Sequence, residues 1–196
     1  MECPIKRIIV VCWLVLLGSH LNGMINEALR QQLLDMCAED QQVRQALIKN
    51  ATTTTEIAVQ RVDEKNLKAM KEIIATYGWP GVSRVGTDGA QAAWLLVQHA
   101  SDDHAFQKQC LVLLQQAAAC NDVSSIDVAY LADRMLIAEG KKQCYGTQVD
   151  ILQGCITVCP IEDAEHVDAR RKALGLQPLA EYLKECQRIL INKHEA

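Results

Sequence analysis

Residues 124–140 read SSIDVAYLADRMLIAEG. Ser124 or Ser125 can cap the N-terminus of a helix in this stretch, and Gly140 can end the helix. The residues between them are mainly Leu, Ile, Ala, Met and Val, with few turn formers. The stretch is therefore predicted to be a helix, and it makes a mainly helical fold the first expectation.

Further helices are predicted on both sides of it. Residues 25–49 carry apolar side chains at spacings near three and four, which predicts one long helix or two short ones. The segment ATTTT at residues 51–55 is poor in helix formers and is interpreted as a linker, and residues 78–89 are interpreted as a loop. Start and stop signals predict the other helices, at residues 63–78 with Asp63 as the cap, and at residues 90–100, 102–114, 163–174 and 178–191.

A change of character follows the central helix. Residues 142–159, KQCYGTQVDILQGCITVC, combine β-branched residues with Asp150 and Gly154, which predicts a small β-hairpin near residues 143–159. The expected fold is thus a compact, multi-helix single domain spanning residues 24–196, with one small hairpin.

The composition and net charge of the chain argue against one class of partner. The chain has 196 residues, of which 49% are apolar and 22% charged, and its net charge is -4. A pI near 5.7 disfavours binding to a phosphate backbone, so no nucleic acid partner is predicted. Only 4% of the residues are aromatic, which agrees with a core built from aliphatic side chains in helices.

Residues 1–23, MECPIKRIIVVCWLVLLGSHLNG, have the layout of a signal peptide. Lys6 and Arg7 precede an apolar run of ten residues, which would span about 15 Å as a helix and so is too short for a stable membrane span. Cleavage is expected after Gly23, and the protein is then secreted or periplasmic. The alternative is a buried N-terminal helix.

The chain has nine cysteines, two of them within residues 1–23. Export would place the other seven in an oxidising compartment. If the hairpin turns near residues 151–154, antiparallel pairing brings Cys144 close to Cys159 or its neighbour, which predicts a disulfide between these two. Zinc is disfavoured, because no second close pair completes a four-ligand set with Cys155 and Cys159.

The segment QHASDDH contains possible metal ligands. His99 could lie beside Asp103 across the turn that ends the helix at residues 90–100, which makes these two residues weak candidates for a metal site. The opposing interpretation is a buried histidine hydrogen-bonded to a neighbouring helix, with Asp102 and Asp103 as helix caps. The second interpretation is favoured, and no metal or cofactor is predicted.

A polar cleft is the main functional hypothesis. Arg134 could hold an anionic ligand with its planar guanidinium, or it could form a structural ion pair together with Asp133. Residues 145–148, YGTQ, combine hydrogen-bonding side chains with a glycine that permits close approach. The candidate ligand-binding residues are Trp79, Gln98, His99, Arg134, Tyr145 and Gln148.

The sequence resembles a family of bacterial proteins known only as a domain of unknown function. The resemblance runs from about residue 35 to residue 183, through AEDQQVR, AAWLLVQHA, AYLADRMLIAEGKKQCYGTQ and PIEDAEHVDARR. It implies a compact, mostly helical domain, often in secreted or multi-domain bacterial proteins, and it implies no activity. Cys144 departs from the family pattern, in which a basic residue usually precedes Tyr-Gly-Thr-Gln.

Three functions follow from these observations. The first is an exported protein that binds a small polar or anionic ligand in a cleft. The second is a hydrolase or transferase acting at the same cleft, with catalytic residues unknown, because the usual motifs for nucleophiles, phosphate loops and zinc hydrolases are missing from the sequence. The third is a structural or protein-interaction module. Neither the oligomeric state nor the identity of the ligand can be predicted.

Overall fold

The computed structural model describes residues 24–152 and 154–194, so the proposed signal peptide at residues 1–23 lies outside the described residues. Five long helices come first, followed by a two-stranded hairpin and two further helices. In chain order the elements are α1 (Glu27–Lys49), α2 (Thr53–Tyr77), α3 (Val82–His99), α4 (His104–Ala119), α5 (Ser125–Ala138), β1 (Val149–Leu152), β2 (Cys155–Val158), α6 (Val167–Ala173) and α7 (Leu179–His194). The prediction of a mainly helical fold with one small hairpin is confirmed.

The core lies where α1, α2 and α3 pack together and where α4 and α5 cover them. Each helix contributes aliphatic or small side chains at helical spacing, which gives a dry interface. Leu33, Met70, Ala93, Leu114 and Leu131 are the most buried apolar members from these five helices. Arg30 of α1 also donates hydrogen bonds to the Asp88 carboxylate, which joins α1 to α3 at the surface.

The predicted linker at residues 51–55 is wrong, because α2 begins at Thr53 rather than near Asp63. Thr52 and Thr55 form a reciprocal capping box, in which the hydroxyl of each accepts the backbone N–H of the other. Capping offsets the low helix propensity of the threonine run. Asp63 therefore lies inside α2, at a half-buried position, instead of capping it.

The predicted loop at residues 78–89 is also shorter than expected, since α3 begins at Val82. Gly86 has non-helical backbone angles, φ 73° and ψ 171°. Helix α3 therefore consists of a short helical piece before Gly86 and a longer one after it, joined across a kink. The start of α3 is anchored by Asp122, whose carbonyl accepts the Val82 N–H at 2.9 Å and whose carboxylate accepts the Ser83 N–H at 2.6 Å. The next helix, α4, is capped by Asp103 and not by Asp102.

The C-terminal third packs around the hairpin. The two strands are antiparallel, with Val149 opposite Val158 and Leu152 opposite Cys155. The side chain of Gln187 in α7 accepts the N–H of Ile156 at 2.8 Å, which holds α7 against β2. A short 3-10 turn, Ala164–His166, precedes α6.

Among the helices of the described residues, none combines the length and the apolar character that a membrane crossing would need.

Candidate functional site

His99 ends α3 and faces α1. Its Nδ1 lies 2.9 Å from Oδ2 and 3.0 Å from Oδ1 of Asp40. The Asp40 side chain is only 1% exposed, whereas that of His99 is 22% exposed. A buried carboxylate thus lies against one nitrogen of a partly accessible imidazole. Of the two interpretations of His99, a hydrogen bond to a neighbouring helix describes this arrangement better than a metal site does.

The neighbours of the pair affect the ionisation of Asp40. Nε of Arg44 lies 3.0 Å from both Asp40 Oδ1 and His99 Nδ1. Burial opposes ionisation of Asp40, but hydrogen bonds from His99 and Gln41 and the charge of Arg44 together hold the pKa of its carboxyl below the ordinary value. Asp40 Oδ1 accepts from Arg44 Nε–H, which is also within hydrogen-bond distance of His99 Nδ1, so the role of Nδ1 depends on the tautomer of the ring. In the Nδ1–H tautomer, Nδ1 donates to Asp40 and Nε2 carries the lone pair.

Arg44 is held between two carboxylates. Its Nε reaches Asp40 in α1, and its Nη2 forms a close contact with Asp63 in α2. Burial raises the pKa of Asp63, and the nearby charge of Arg44 offsets part of that rise. The positive charge of Arg44 is therefore matched within the protein.

Arg134 in α5 has a different environment. Its Nε donates to Oε1 of the buried Gln98 at 2.6 Å, and within the described residues no carboxylate lies at ion-pair distance from it. Burial lowers the pKa of Arg134, and the charge of Arg44 lowers it further. The Gln98 amide nitrogen is buried without a hydrogen-bond partner. Two adjacent groups therefore carry N–H donors that the described protein leaves unused.

Trp79 lies apart from these residues. It precedes the start of α3, whereas Gln98 and His99 are at its far end, and the part of this helix after the kink, residues 87–99, is alone about 20 Å long. The Trp79 side chain belongs to the hydrophobic core. The structure therefore does not bring it to the cluster around Arg134.

The backbone of Tyr145 is held by Asp133, the neighbour of Arg134, whereas the N–H of Gln148 is accepted by Gln143. The carboxylate of the buried Asp133 accepts the N–H groups of Cys144, Tyr145 and Thr147 at 2.7–3.1 Å. The Gln148 side chain lies close to Thr147 Oγ1, at 3.1 Å. No hydrogen bond joins Arg134 to Tyr145 or Gln148 in the described residues, because successive positions of a helix point in directions about 100° apart.

The two weak metal candidates have separate partners. Asp103 pairs with Lys71 at 2.6 Å and accepts the Phe106 N–H at 2.9 Å, while His99 faces Asp40. Across residues 24–152 and 154–194, no group of three His, Cys, Asp or Glu side chains is arranged to hold a metal ion.

Cys144 and Cys159 are both thiols in the structure. The strand register places Cys159 opposite Gln148, whose carbonyl accepts the Cys159 N–H at 3.2 Å. Cys144 precedes the paired strands, and the Cys159 thiol lies 3.5 Å from the Asp150 carboxylate. The disulfide stays a prediction, and this register does not favour it.

Asp40, Arg44 and Asp63 were not among the residues that the sequence pointed to. Asp40 nevertheless leaves a signal, because it falls on the apolar face of α1, four residues after Met36. A carboxylate on a core-facing position needs hydrogen-bond partners, which are here Arg44 and His99. Asp63 gave a misleading signal, since its position favoured a cap.

A sequence model described as "Family of unknown function (DUF6624)" matches residues 27–191. The match covers all seven α-helices of the described residues except the last turn of α7. No curated protein and no solved structure matches the chain. The family assignment agrees with the resemblance stated from the sequence and, like it, carries no activity.

Proposed function

The chain belongs to the DUF6624 family, whose function is unknown, and we propose that it binds a small ligand by an anionic group at Arg134. The observation that carries the proposal is the half-buried guanidinium of Arg134, which has one hydrogen bond to Gln98 and no carboxylate partner in the described residues. A partly buried cation without a counterion costs free energy, and an anionic ligand would reduce that cost.

Charge matching favours a ligand group with a single negative charge. The carboxylates of Asp40 and Asp63 both lie against Arg44, whereas the single positive charge of Arg134 has no carboxylate partner in the described residues. A dianion beside two carboxylates would be repelled more strongly than a monoanion. A carboxylate also matches the guanidinium fork in shape. We therefore propose a carboxylate-bearing small molecule.

The amide of Gln98 supports the same proposal. Its oxygen accepts from Arg134, which fixes the orientation of the amide and leaves the nitrogen as a donor. That nitrogen is buried and has no partner in the described residues. A ligand oxygen held by Arg134 could accept from it as well.

Titration with sodium acetate tests the proposal, with sodium chloride at equal ionic strength as the reference. We expect amide and side-chain NMR signals of Arg134, Gln98 and His99 to shift in a saturable way with acetate. Arg134→Gln should abolish saturation. Arg61→Gln, which removes an exposed guanidinium from α2, is the matched control and should leave it unchanged. Shifts that are equal in acetate and chloride, or unchanged in Arg134→Gln, would contradict anion binding at Arg134.

We further propose that the protein is exported and that residues 1–23 are removed. The basic start, the short apolar run and the polar exit of this segment support the proposal. Intact-mass measurement on protein from the culture medium or periplasm tests it. A mass that still includes Met1 would contradict cleavage.

A further inference from the structure

The buried Asp40 carboxylate and the partly exposed His99 imidazole form a pair that anion binding by itself does not need. Their atoms are 2.9 Å apart, and Asp40 is held in place from its other sides by Arg44 and Gln41. A carboxylate that accepts Nδ1–H fixes both the tautomer and the ring orientation of a histidine. The other nitrogen, Nε2, then carries the lone pair, on a side chain that is 22% exposed.

We infer that His99 is a general base, positioned by Asp40, for transfer of an acyl group from a carboxylate-bearing substrate to water or to a hydroxyl group. This inference rests on the proposed function, because Arg134 is the group that would hold the substrate carboxylate. The two halves of the site meet at the end of α3, because Gln98, which accepts the hydrogen bond of Arg134, directly precedes His99.

In the proposed step, Nε2 of His99 takes up one proton and later returns it, and His99 forms no covalent bond to the substrate. His99 takes the proton of a water or hydroxyl oxygen as that oxygen forms a bond to the carbonyl carbon of the substrate. The bond from this carbon to the leaving group then breaks, and the leaving group departs with the electron pair. It takes the proton back from Nε2, so His99 returns to its starting state. In this step Asp40 acts as a positioning residue.

Asp40→Asn provides a direct test of the positioning. Oδ1 of Asp40 accepts from Arg44, which cannot become an acceptor, whereas Oδ2 accepts from the Gln41 amide, which can turn to present its oxygen. The asparagine oxygen should therefore stay on the side of Arg44. The new NH₂ group then faces His99 Nδ1 and donates to it. His99 is thereby forced into the Nε2–H tautomer, in which the base is already protonated.

The tautomer can be read by nitrogen-detected NMR of the histidine side chains in the full chain. We expect neutral His99 to be the Nδ1–H tautomer in the wild type and the Nε2–H tautomer in Asp40→Asn. His166 is the matched control, because its Nδ1 lies 2.8 Å from Asp163 in an exposed pair that Asp40→Asn should not affect. An Nε2–H tautomer for His99 in the wild type would overturn the inference.

Hydrolysis is measured with two matched esters, 4-acetoxybenzoate and its methyl ester, which differ in the free carboxylate. We expect the wild type to hydrolyse the charged ester faster than the capped one, and Arg134→Gln to remove that preference. His99→Gln and Asp40→Asn should each lower the rate by about 10²-fold or more, while His166→Gln leaves it unchanged. Circular dichroism confirms that each variant is folded.

The two proposals fail in different ways. Hydrolysis no faster than in buffer, or equal rates for wild type and His99→Gln, would overturn acyl transfer while acetate binding could still hold. Loss of acetate binding with the Nδ1–H tautomer intact would overturn the site at Arg134 instead, because the tautomer needs no ligand.

Discussion

Asp133 and Arg134 are consecutive residues of α5, yet they serve two regions that satisfy their polar groups differently. Asp133 is fully buried and accepts hydrogen bonds from the loop at residues 143–148, which also receives side-chain donors on its carbonyls. These donors are Arg170 to Cys144, Arg171 to Tyr145, Tyr182 to Thr147 and Gln143 to Gln148. Arg134 has a single hydrogen bond, to Gln98, whose amide nitrogen has no partner in the described residues.

The comparison separates a structural use of charge from a functional one. In the loop, a buried anion binds N–H groups from one side and a buried cation, Arg171, binds carbonyls from the other. Both charges fix irregular backbone that no ladder satisfies, although one donor of Arg171, Nη2, is buried without a partner in the described residues. The unpaired amide nitrogen of Gln98 differs in its position, because it belongs to the residue that binds the partly exposed guanidinium of Arg134, and a ligand held there would satisfy it.

The largest effect is expected when the anion of the loop is removed. Asp133→Ala leaves three buried N–H groups without an acceptor, so it should lower the free energy of unfolding by about 3–5 kcal/mol. Urea denaturation measures the change. Asp35→Ala, at an exposed position of α1, is the control and should stay within about 0.5 kcal/mol. Equal costs for the two variants would break the comparison.

A glycine pair tests how tightly the loop is packed. Gly146 and Gly140 have nearly the same backbone angle, φ 68° and φ 69°. A Cβ at Gly146 would lie 2.8 Å from Leu179 Cδ1, whereas a Cβ at Gly140 would meet nothing within 4 Å. Gly140→Ala should cost about 1 kcal/mol through backbone strain, and Gly146→Ala about 2–3 kcal/mol because crowding is added.

Thermal denaturation of both alanine variants gives the difference directly, since the strain is common to the two. If Gly146→Ala and Gly140→Ala have the same melting temperature, the loop is packed less tightly than its hydrogen bonds indicate.

Arg134→Lys sharpens the other side of the comparison. Lysine keeps the positive charge but loses the planar fork, so acetate binding should be lost while the free energy of unfolding changes by less than about 1 kcal/mol. Acetate titration and thermal denaturation of the same sample separate the two effects. A clearly lower melting temperature would instead assign Arg134 a structural role like that of Asp133.

A third charged residue of α5 gives the comparison a pH dependence. Burial raises the pKa of Asp127 to about 6, partly offset by the backbone N–H of Ser124. The folded state therefore keeps the Asp127 proton to higher pH than the unfolded state does. The associated stability is fully present below about pH 4 and is lost as the pH rises through about 6.

Asp127→Asn cannot ionise, so its free energy of unfolding should fall less than that of the wild type between pH 4 and pH 7. Urea denaturation at several pH values measures the difference between the two proteins. If the free energy of unfolding changes with pH in the same way in both proteins, Asp127 is as well solvated as an exposed carboxylate. The difference in environment between Asp127 and the buried Asp133 would then be larger than the pKa of Asp127 indicates.

The sequence predicts much of the helical framework, because caps and apolar spacing are local. Ser124 does cap α5, with its hydroxyl accepting the Ile126 N–H at 3.1 Å, and Gly78 does end α2. Errors occur where capping competes with propensity: Thr52 starts α2 in a segment whose composition favours a linker. The hairpin was expected within residues 143–159, and the strands occupy only its second part.

The site is less predictable, since its residues meet across three helices. Gln98, His99 and Arg134 could be chosen as polar residues in helical segments, but their partners depend on how α1 packs against α3. The choice between Asp133 and Arg134 as the residue that faces the loop depends on the rotation of α5 about its axis, which cap signals determine only to within a residue or two.

The aromatic row beside Arg134 has an optical consequence. Trp94 of α3 lies edge-on to Tyr130 of α5 with ring centres 6.1 Å apart, and Tyr130 lies edge-on to Tyr182 of α7 at 6.5 Å. Light absorbed by either tyrosine is passed to a tryptophan efficiently over such distances. Tyrosine emission should therefore be quenched while α7 is docked, and its recovery during denaturation would report when the C-terminal helix leaves α5, separately from the Trp79 signal of the core.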